Sequence, residues 1–440
     1  MAYSDFQFIL NADNTYALQR YNGKAAEVKI PSSYNGRAVT KICREAFRGL
    51  YGVASIAVPD SVTEIESSAF SGCSIKSIKL SSKITKISSS TFCDCRNLTS
   101  VIIPSGVKTI EECAFIYCFN LKSVTIPNGV TSIGMRAFSQ CKSLESVIIP
   151  DTVTKIDYYA FEECEKLVSV KLPSRLTSLT PGMFKYCSSL KSIVIPNSVT
   201  SIGYSMFIGC VKLTSVTIPA TVCEIGTQAF SGCGFASFNI PTALTEIATG
   251  MFEGCSNLIR ITIPANIKKI GESAFSRCKS LKSVTIPNTV TEIGDNLFSE
   301  CTALTSVTLG SSVTKIMSKM FEKCEKLTSV TLLGRITYIG SYAFRKCTAL
   351  SSFAVPDTVT SIGSGAFLEC SGLHSFTVGK SVTVIGGSAF GSCWGLSSVK
   401  FTCPNGWCSG SGMVPVSVNF ADPAAAASYL KHRSPDLRRK

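Results

Sequence analysis

Cysteine is the residue type with the greatest chemical potential in this sequence, because the chain has 21 cysteines but only two histidines, His374 and His432. Fifteen cysteines occupy one recurring position, three residues after a regularly spaced phenylalanine. Zinc binding needs thiolates or imidazoles at short spacings such as C-x2–4-C, whereas these cysteines are 22 or 23 residues apart. The spacing therefore predicts no metal site. The fifteen are Cys73, Cys95, Cys118, Cys141, Cys164, Cys187, Cys210, Cys233, Cys255, Cys278, Cys301, Cys324, Cys347, Cys370 and Cys393.

Disulfides between these cysteines are disfavoured by geometry. Equivalent positions of stacked repeats lie about 4.8 Å apart with parallel Cα–Cβ bonds, whereas a disulfide needs Cβ atoms about 3.8 Å apart that point together. We therefore expect buried, unpaired thiols that act as small apolar side chains and donate weakly to a turn carbonyl. Cys403 and Cys408 lie outside the repeat, around the segment PNGW. Either a local disulfide or burial in a terminal cap would explain that pair.

The sequence lacks the motifs of familiar catalytic sites. It contains no G-x-S-x-G, no phosphate-binding glycine loop and no H-E-x-x-H. The net charge of +14 comes from 43 Lys and Arg against 29 Asp and Glu, but the basic residues are scattered and form no stripe with interleaved aromatics. We therefore expect no enzyme, no cofactor, no metal and no nucleic-acid partner.

Phenylalanine marks one repeat through most of the chain. Sixteen phenylalanines recur with thirteen intervals of 23 residues and two of 22. The short intervals follow Phe70 and Phe230, and both lose one residue just after the cysteine, where a turn tolerates a deletion. A fixed period of this length indicates a repeat architecture. The sixteen are Phe47, Phe70, Phe92, Phe115, Phe138, Phe161, Phe184, Phe207, Phe230, Phe252, Phe275, Phe298, Phe321, Phe344, Phe367 and Phe390.

The repeat is clearest at residues 141–163, CKSLESVIIPDTVTKIDYYAFEE. Val147 and Ile149 share one face of a predicted short strand, which ends at Pro150 because proline has no N–H to donate. A second short β-branched segment and a tight turn complete the unit. A glycine recurs after the second segment, and we expect it to have positive φ. It stands at Gly134, Gly203, Gly226, Gly271, Gly294, Gly340, Gly363 and Gly386.

A unit this short cannot bury its own apolar side, so neighbouring units must stack around a shared core. Sequential strands then pair in parallel, and the usual crossover rule makes the coil right-handed. The pattern L-x-S-V-x-I-P…V-T-x-I-G-x-x-A-F-x-x-C closely resembles the BspA-like, or treponemal-type, leucine-rich repeat over residues 24–402. The resemblance implies an α/β-type, strand-dominated repeat solenoid. It would be a right-handed leucine-rich repeat coil of about 16 repeats of 23 residues, with a parallel sheet on its concave face.

The ends of the chain depart from the repeat. Residues 1–23 are predicted to form an N-terminal cap, because FQFIL and TYALQRY flank the turn-like NADN. Residues 24–402 form the leucine-rich repeat solenoid, whose first unit has five extra residues, SYNGR, expected to loop out. Residues 403–440 form a C-terminal cap with a short helix, for which Asp422 is the predicted N-cap. Its basic tail, SPDLRRK, is expected to fray.

The resemblance also implies a function, since members of the family are typically bacterial surface or secreted proteins implicated in adhesion. We expect a non-enzymatic protein–protein interaction scaffold, adhesin-like, that binds a host or bacterial macromolecule through the concave sheet face. Two alternatives stay open, a glycan-binding module that uses the serine and threonine ladders and an intracellular scaffold. No apolar run reaches the roughly 18–20 residues of a transmembrane segment, and no signal peptide is recognisable. A surface or secreted location thus rests on the family resemblance, and the location is otherwise cytoplasmic.

Side chains that point out of the predicted concave sheet form two columns. The first column is almost all serine and is broken by Arg260, and the second mixes threonine with lysine and aliphatic residues. Small hydroxylated residues suit a crowded sheet surface, and repeat proteins bind partners through such surfaces. The predicted partner-binding residues are Ile102, Ser146, Ile148, Ser169, Lys171, Ser192, Val194, Ser215, Thr217 and Arg260.

Overall fold

The computed structural model describes residues 3–410, 414–433 and 436–439. The chain divides into two compact units, residues 1–224 and 225–440. Both are strand-dominated solenoids, in which each turn contributes two short strands joined by bends. The described residues contain one α-helix and one short 3-10 helix, so nearly all regular structure is strand.

In the first unit, the repeats contribute a first row of three-residue strands and a second row of two-residue strands. The first row is Ser55–Ala57, Ser77–Lys79, Ser100–Ile102, Ser123–Thr125, Ser146–Ile148, Ser169–Lys171, Ser192–Val194 and Ser215–Thr217. The second row is Glu64–Ile65, Lys86–Ile87, Thr109–Ile110, Ser132–Ile133, Lys155–Ile156, Ser178–Leu179 and Ser201–Ile202, and Glu224–Ile225 spans the unit boundary. The N-terminal elements are Tyr3–Asp5 (3-10 helix), Phe6–Leu10, Tyr16–Tyr21, Glu27–Lys29, Ser33–Tyr34 and Arg37–Ile42.

The second unit has the same two rows, followed by C-terminal elements. Its first row is Ser237–Asn239, Arg260–Thr262, Ser283–Thr285, Ser306–Leu309, Ser329–Leu332, Ser352–Ala354, Ser375–Val378 and Ser398–Phe401. Its second row is Glu246–Ile247, Lys269–Ile270, Glu292–Ile293, Lys315–Ile316, Tyr338–Ile339, Ser361–Ile362 and Val384–Ile385. The C-terminal elements are strands Trp407–Ser409 and Val414–Pro415, helix Pro423–Arg433 and strand Leu437–Arg439.

Proline sets the length of the first-row strands in the second unit. Strands within a row pair in parallel and in register, as when Ser283 pairs with Ser306 and Thr285 with Thr308. The strands with three residues end two positions before a proline, which has no N–H to continue the ladder. Where proline is replaced, the strand gains a fourth residue. The replacements are Gly310, Leu333, Gly379 and Thr402.

The recurring phenylalanines form the centre of each unit. Phe115 and Phe138 stack with ring centroids 5.2 Å apart and planes 3° apart in the first unit. Phe252 and Phe275 stack in the same way in the second, at 5.7 Å and 1°. These rings are fully buried, so each turn covers the aromatic face of the one before it. The predicted core ladder is confirmed within both units.

The prediction that the recurring glycine has positive φ is wrong. These glycines are absent from the positive-φ residues of the described part of the chain. The short distance to the backbone of the neighbouring turn explains why glycine stands there. A Cβ on Gly134 would lie 2.6 Å from the Glu112 backbone nitrogen, and a Cβ on Gly203 would lie 2.6 Å from the Pro181 nitrogen. In these turns glycine therefore permits a close approach of two backbones, and it does not serve a left-handed conformation.

Positive φ occurs instead two residues before and two residues after the recurring phenylalanine. Around Phe138 these positions are Arg136, with φ of 53°, and Gln140, with φ of 60°. The left-handed conformation aims each amide at the next turn. Arg136 N donates to Tyr158 O at 3.0 Å, and Gln140 N donates to Glu162 O at 2.7 Å. These hydrogen bonds satisfy turn backbone groups, which explains why non-glycine residues are held in an uncommon conformation.

The N-terminal residues form the hairpin expected around NADN, in which Phe6–Leu10 pairs antiparallel with Tyr16–Tyr21. The five extra residues of the first repeat are also ordered as a hairpin. Ser33–Tyr34 pairs antiparallel with Arg37–Ile42, and the Asn-Gly dipeptide between them has positive φ at both residues. Asn-Gly is the pair that two-residue hairpin turns favour, so the insertion forms defined structure and not an open loop.

The C-terminal helix begins as the sequence predicts. Pro423–Arg433 is helical, and the Asp422 carboxylate accepts hydrogen bonds from the amides of Ala424 and Ala425 at 2.9 and 3.3 Å. These bonds make Asp422 the N-cap.

The expectation of a frayed basic tail is wrong for Leu437–Arg439, which forms a strand. This strand pairs antiparallel with Val384–Ile385, the last strand of the second row, and with Trp407–Ser409. Leu437 is fully buried. The tail thus covers a strand edge that would otherwise be open. Ser434, Pro435 and Lys440 of the predicted tail lie outside the described residues.

Candidate functional site

Alternation within each first-row strand decides which side chains reach solvent. In Ser146–Ile148 the central Val147 is buried, whereas Ser146 and Ile148 are exposed, as the two-residue period of a strand requires. Register then aligns equivalent residues, so Ser146 pairs with Ser169 and Ile148 with Lys171. We term the exposed side chains of the first-row strands the outward face of each unit.

Nine of the ten predicted site residues lie on the outward face of the first unit, and all nine are exposed. They are Ile102, Ser146, Ile148, Ser169, Lys171, Ser192, Val194, Ser215 and Thr217. The strands that carry them are Ser100–Ile102, Ser146–Ile148, Ser169–Lys171, Ser192–Val194 and Ser215–Thr217. The alternation and the repeat register therefore bring these side chains to one sheet surface.

Arg260, the tenth predicted residue, belongs to the second unit. It is exposed at the first position of strand Arg260–Thr262 and pairs in register with Ser237. It thus takes the place that serine holds in the neighbouring turns. The candidate site of the first unit is built from the other nine residues.

Three aliphatic side chains interrupt the polar surface of the first unit. Ile102, Ile148 and Val194 are 79%, 70% and 66% exposed, and they alternate with Thr125 and Lys171 along the second column. Full burial of such a side chain stabilises a protein by roughly 1.5–3 kcal/mol relative to exposure. In the free protein these three residues gain little of that stabilisation. Large apolar side chains grouped on a polar surface are typical of an interaction site.

A shallow depression of about 470 Å³ lies beside Ile148 on the same face. Its lining includes Ser123, Asp151 and Lys171. The Asp151 carboxylate accepts a hydrogen bond from the Ser174 amide at 2.8 Å. That bond, helped by the positive charge of Lys171, holds the pKa of Asp151 below its usual value. The depression therefore combines an apolar wall with hydroxyls, one carboxylate and one ammonium group.

The recurring cysteines form a buried line within each unit. Cys118 Sγ donates to Phe92 O at 3.1 Å in the first unit, and Cys324 Sγ donates to Phe298 O at 3.1 Å in the second. Burial raises the pKa of both these thiols and that of Cys301, the last to about 12. A buried thiol with a raised pKa is a poor nucleophile and a poor metal ligand. The predicted role as small apolar side chains with a weak S–H hydrogen bond is confirmed.

The remaining candidates for chemistry lie apart from the outward face. Cys403 and Cys408 are both free thiols, and Cys408 is buried, which favours burial in the cap over a local disulfide. His374 and His432 are exposed. Within residues 3–410, 414–433 and 436–439, no group of three or more His, Cys, Asp or Glu side chains could hold a metal ion.

The strand pattern of the sequence did not point to Trp394. This indole is 64% exposed and directly follows Cys393. The same position holds Thr348 and Ser371 in the two preceding turns. A large aromatic residue after two small polar residues at the same position was the available signal, and it lies outside the two columns of the sheet.

These features define a class of protein, a leucine-rich repeat solenoid with an exposed parallel sheet and buried phenylalanine and cysteine ladders. The sequence pattern described as BspA type Leucine rich repeat region matches residues 17–130, 108–235, 200–328 and 291–405, which together span most of the chain. The chain therefore belongs to the BspA-type leucine-rich repeat family. Leucine-rich repeat proteins generally bind other proteins and are generally non-enzymatic.

Solved structures of bacterial proteins share the fold. A leucine-rich repeat protein from Bacteroides ovatus is 30% identical, with 91% of this chain and 94% of that chain covered and a TM-score of 0.65. A leucine-rich repeat protein from Eubacterium ventriosum is 22% identical, with 93% and 97% covered and a TM-score of 0.51. The pneumococcal vaccine antigen PcpA is 19% identical, with 82% and 92% covered and a TM-score of 0.50. The last two show likeness of fold alone.

No curated protein matches this sequence. In the described part of the chain, no helix combines the length and the apolar character that crossing a bilayer requires.

Proposed function

We propose that this chain is a non-enzymatic scaffold for protein–protein interaction, an adhesin-like protein of the bacterial surface or a secreted one. Its partner binds the outward face of the first unit. The observation that carries this proposal is the set of three exposed aliphatic side chains, Ile102, Ile148 and Val194, on alternate strands of a polar surface. A partner that covers them removes apolar area from water, which is the main driving force of association.

The dimensions and charge of the face support an extended macromolecular partner. Five consecutive strands from Ser100–Ile102 to Ser192–Val194 span roughly 20 Å at the usual strand spacing. Lys171 lies between Ile148 and Val194 along the second column. A partner segment with apolar side chains on both sides of a carboxylate would complement this order.

The test compares the wild-type chain with the double variant Ile148→Ser/Val194→Ser. Proteins that the immobilised wild-type chain retains from an extracellular-matrix extract are identified, and the affinity for each is measured by surface plasmon resonance. Removing two apolar contacts should weaken binding of the true partner by about tenfold or more. The Tm should stay unchanged, because both positions are exposed in the free protein.

The matched control alters equivalent positions of the second unit, as Thr285→Ser/Thr331→Ser. This variant should keep the wild-type affinity. Unchanged binding by Ile148→Ser/Val194→Ser, or an equal loss in the control variant, would show that the partner binds elsewhere.

A further inference from the structure

We propose that the second unit holds a separate saccharide-binding site near its C-terminal end, in which Trp394 forms the platform for one pyranose ring of a neutral glycan. Trp394 lies on the bend after Cys393, outside the outward face. Aromatic side chains bury about 150–250 Å² each when they are covered. An indole that stays 64% exposed gives up much of that stabilisation in the free protein, which indicates a role in binding.

A second aromatic residue at the same position of the repeat shows the contrast. Phe119 follows Cys118 in the first unit, and its ring lies beneath two cations. Arg96 Cζ is 5.3 Å and Lys142 Nζ is 5.9 Å from the ring centroid. Among the described side chains, no lysine or arginine covers Trp394 in this way. The indole face is therefore open to a ligand, whereas the Phe119 ring already has its partners.

Neighbouring groups hold the indole in place. The His432 ring packs against it, with centroids 5.7 Å apart and planes inclined by 54°. The helix that carries His432 is tied to this bend, because Lys431 Nζ donates to Leu396 O at 3.1 Å. Gly395 N also donates to the preceding turn. A ring that is already positioned loses less conformational entropy when a ligand stacks on it.

A depression of about 390 Å³ adjoins the indole, a volume within the range of small-molecule sites. Lys346 Nζ lies 3.3 Å from a Glu369 carboxylate oxygen, and Arg345 contacts the same carboxylate at 3.2 Å. Arg345 also pairs with Glu322 at 3.1 Å, so these two cations and two carboxylates balance one another, whereas Glu325 stays exposed to solvent. The residues that line the depression are Glu325, Lys346, Thr348, Glu369, Ser371, Ser392 and Trp394.

This combination suits a pyranose. One face of the sugar ring carries C–H bonds and stacks on an aromatic ring, while its rim carries hydroxyl groups that donate and accept hydrogen bonds. Trp394 provides the aromatic face, and Ser371 in the preceding turn and Ser392 in the same turn provide hydroxyl groups at the rim. The ion pairing of Lys346 and Glu369 leaves the exposed Glu325 carboxylate as the unpaired charge of the lining, so a neutral saccharide is favoured over an anionic one.

Tryptophan fluorescence tests the site in the full chain. The chain has two tryptophans, of which Trp407 is buried, so acrylamide quenching reports mainly on Trp394. The probes are cellotriose, mannotriose, lactose and N,N′-diacetylchitobiose, each at up to about 10 mM because small contacts of this kind give millimolar affinity. At least one probe should reduce the quenching constant about twofold. Calorimetry with that probe should show saturable binding that Trp394→Ala abolishes and Trp394→Phe weakens.

Two control variants show whether saccharide binding depends on Trp394 in particular. Tyr51→Ala removes another exposed aromatic residue, which is 87% exposed in the first unit, and it should leave saccharide binding unchanged. Ile148→Ser/Val194→Ser should also leave saccharide binding unchanged. The proposed saccharide site and the proposed protein-binding face are therefore tested independently, and either can be contradicted without the other. The proposal is overturned if none of the four probes protects Trp394 or if Trp394→Ala binds normally. Protection by tetramethylammonium alone would reassign the open indole to a cationic ligand.

Discussion

Sixteen of the 21 cysteines are buried, which separates the thiols into two classes of reactivity. Burial raises the pKa of Cys73 to about 11 and that of Cys118 well above its usual value, and it also blocks access to the ladder thiols. With an excess of a thiol reagent at pH 8, the native chain should react at the five cysteines that are not buried, fastest at the exposed Cys223, and the unfolded chain should react at all 21. Mass spectrometry of the labelled peptides checks this outcome. The five are Cys43, Cys93, Cys113, Cys223 and Cys403.

Rapid labelling of Cys118 or Cys324 in the native chain would contradict the buried ladder. The exposed Cys223 serves as the internal reference for an accessible thiol.

Gly134→Ala tests whether the recurring glycine is needed for space. Because Gly134 does not have positive φ, the alanine would stabilise the protein by about 0.4–1 kcal/mol through the unfolded state if there were room for its Cβ. Because the Cβ of an alanine at this position would lie 2.6 Å from the Glu112 backbone nitrogen, we expect Gly134→Ala to lower the free energy of unfolding by about 1–3 kcal/mol instead. Chemical denaturation measures the free energy of unfolding and its sign. A more stable variant would show that neighbouring turns can separate without penalty.

In three turns an aspartate directly follows the repeat proline, and these aspartates should make the stability of the protein depend on pH. Asp60, Asp151 and Asp357 each accept a hydrogen bond from a backbone amide of the next turn. This bond is the main cause that lowers the pKa of each carboxyl group. A folded-state pKa below the unfolded value of about 3.9 means that the stabilisation is present above that pH and is lost as the pH falls through the folded-state pKa.

Asp151→Asn keeps the acceptor oxygen but removes the titration, as Asn288 does when it accepts from the Ser311 amide. The Tm of this variant should fall less than that of the wild type between pH 5 and about 3. Parallel Tm curves for the two proteins would exclude a contribution from Asp151.

At the scale of elements, the C-terminal strand is the feature that most clearly closes the second unit. Leu437 is fully buried, and its strand pairs with both Val384–Ile385 and Trp407–Ser409. Leu437→Ala should lower the free energy of unfolding by about 2–5 kcal/mol. Thermal denaturation checks this, with Asp436→Ala as the control because Asp436 lies beside the strand and is less buried. Equal Tm values for the two variants would mean that the strand contributes little to the cap.

The sequence predicted those elements that repeat and missed those that depend on contacts between segments. Alternation around Val147 identifies the strand and its exposed neighbours, because a strand period of two is a local property. The role of Gly134 depends on its distance from another turn, which no single repeat reveals. Leu437–Arg439 has no strand pattern of its own and becomes a strand through its partners. The position of Trp394 was visible in the sequence, but its openness depends on which side chains surround it.

At the scale of the whole molecule, interactions run mainly between adjacent turns. Within the first unit, Lys41 Nζ lies 3.4 Å from a Glu64 carboxylate oxygen of the next second-row strand. In the second unit, Lys269 Nζ lies 3.0 Å from Glu246 in the same relation. Such exposed pairs contribute little individually. They do show that basic residues in the second row face acidic residues of neighbouring turns, so the net charge of +14 forms no single basic surface there.

A substitution in one turn should therefore weaken its neighbours more than distant turns of the same unit. Phe138 stacks on Phe115 at 5.2 Å and on Phe161 at 5.4 Å, and Phe138→Ala should cost about 3–5 kcal/mol. In a repeat protein, where stability is a sum of units and nearest-neighbour interfaces, this loss should appear first as faster amide hydrogen exchange in residues 115–161. The strand Ser55–Ala57, two turns before the turn that holds Phe115, should stay protected. Ser146→Ala, at an exposed position of the same turns, should leave exchange unchanged throughout. Uniform loss of protection over residues 3–224 in Phe138→Ala would instead make this unit one cooperative block, in which the phenylalanine ladder couples all turns equally.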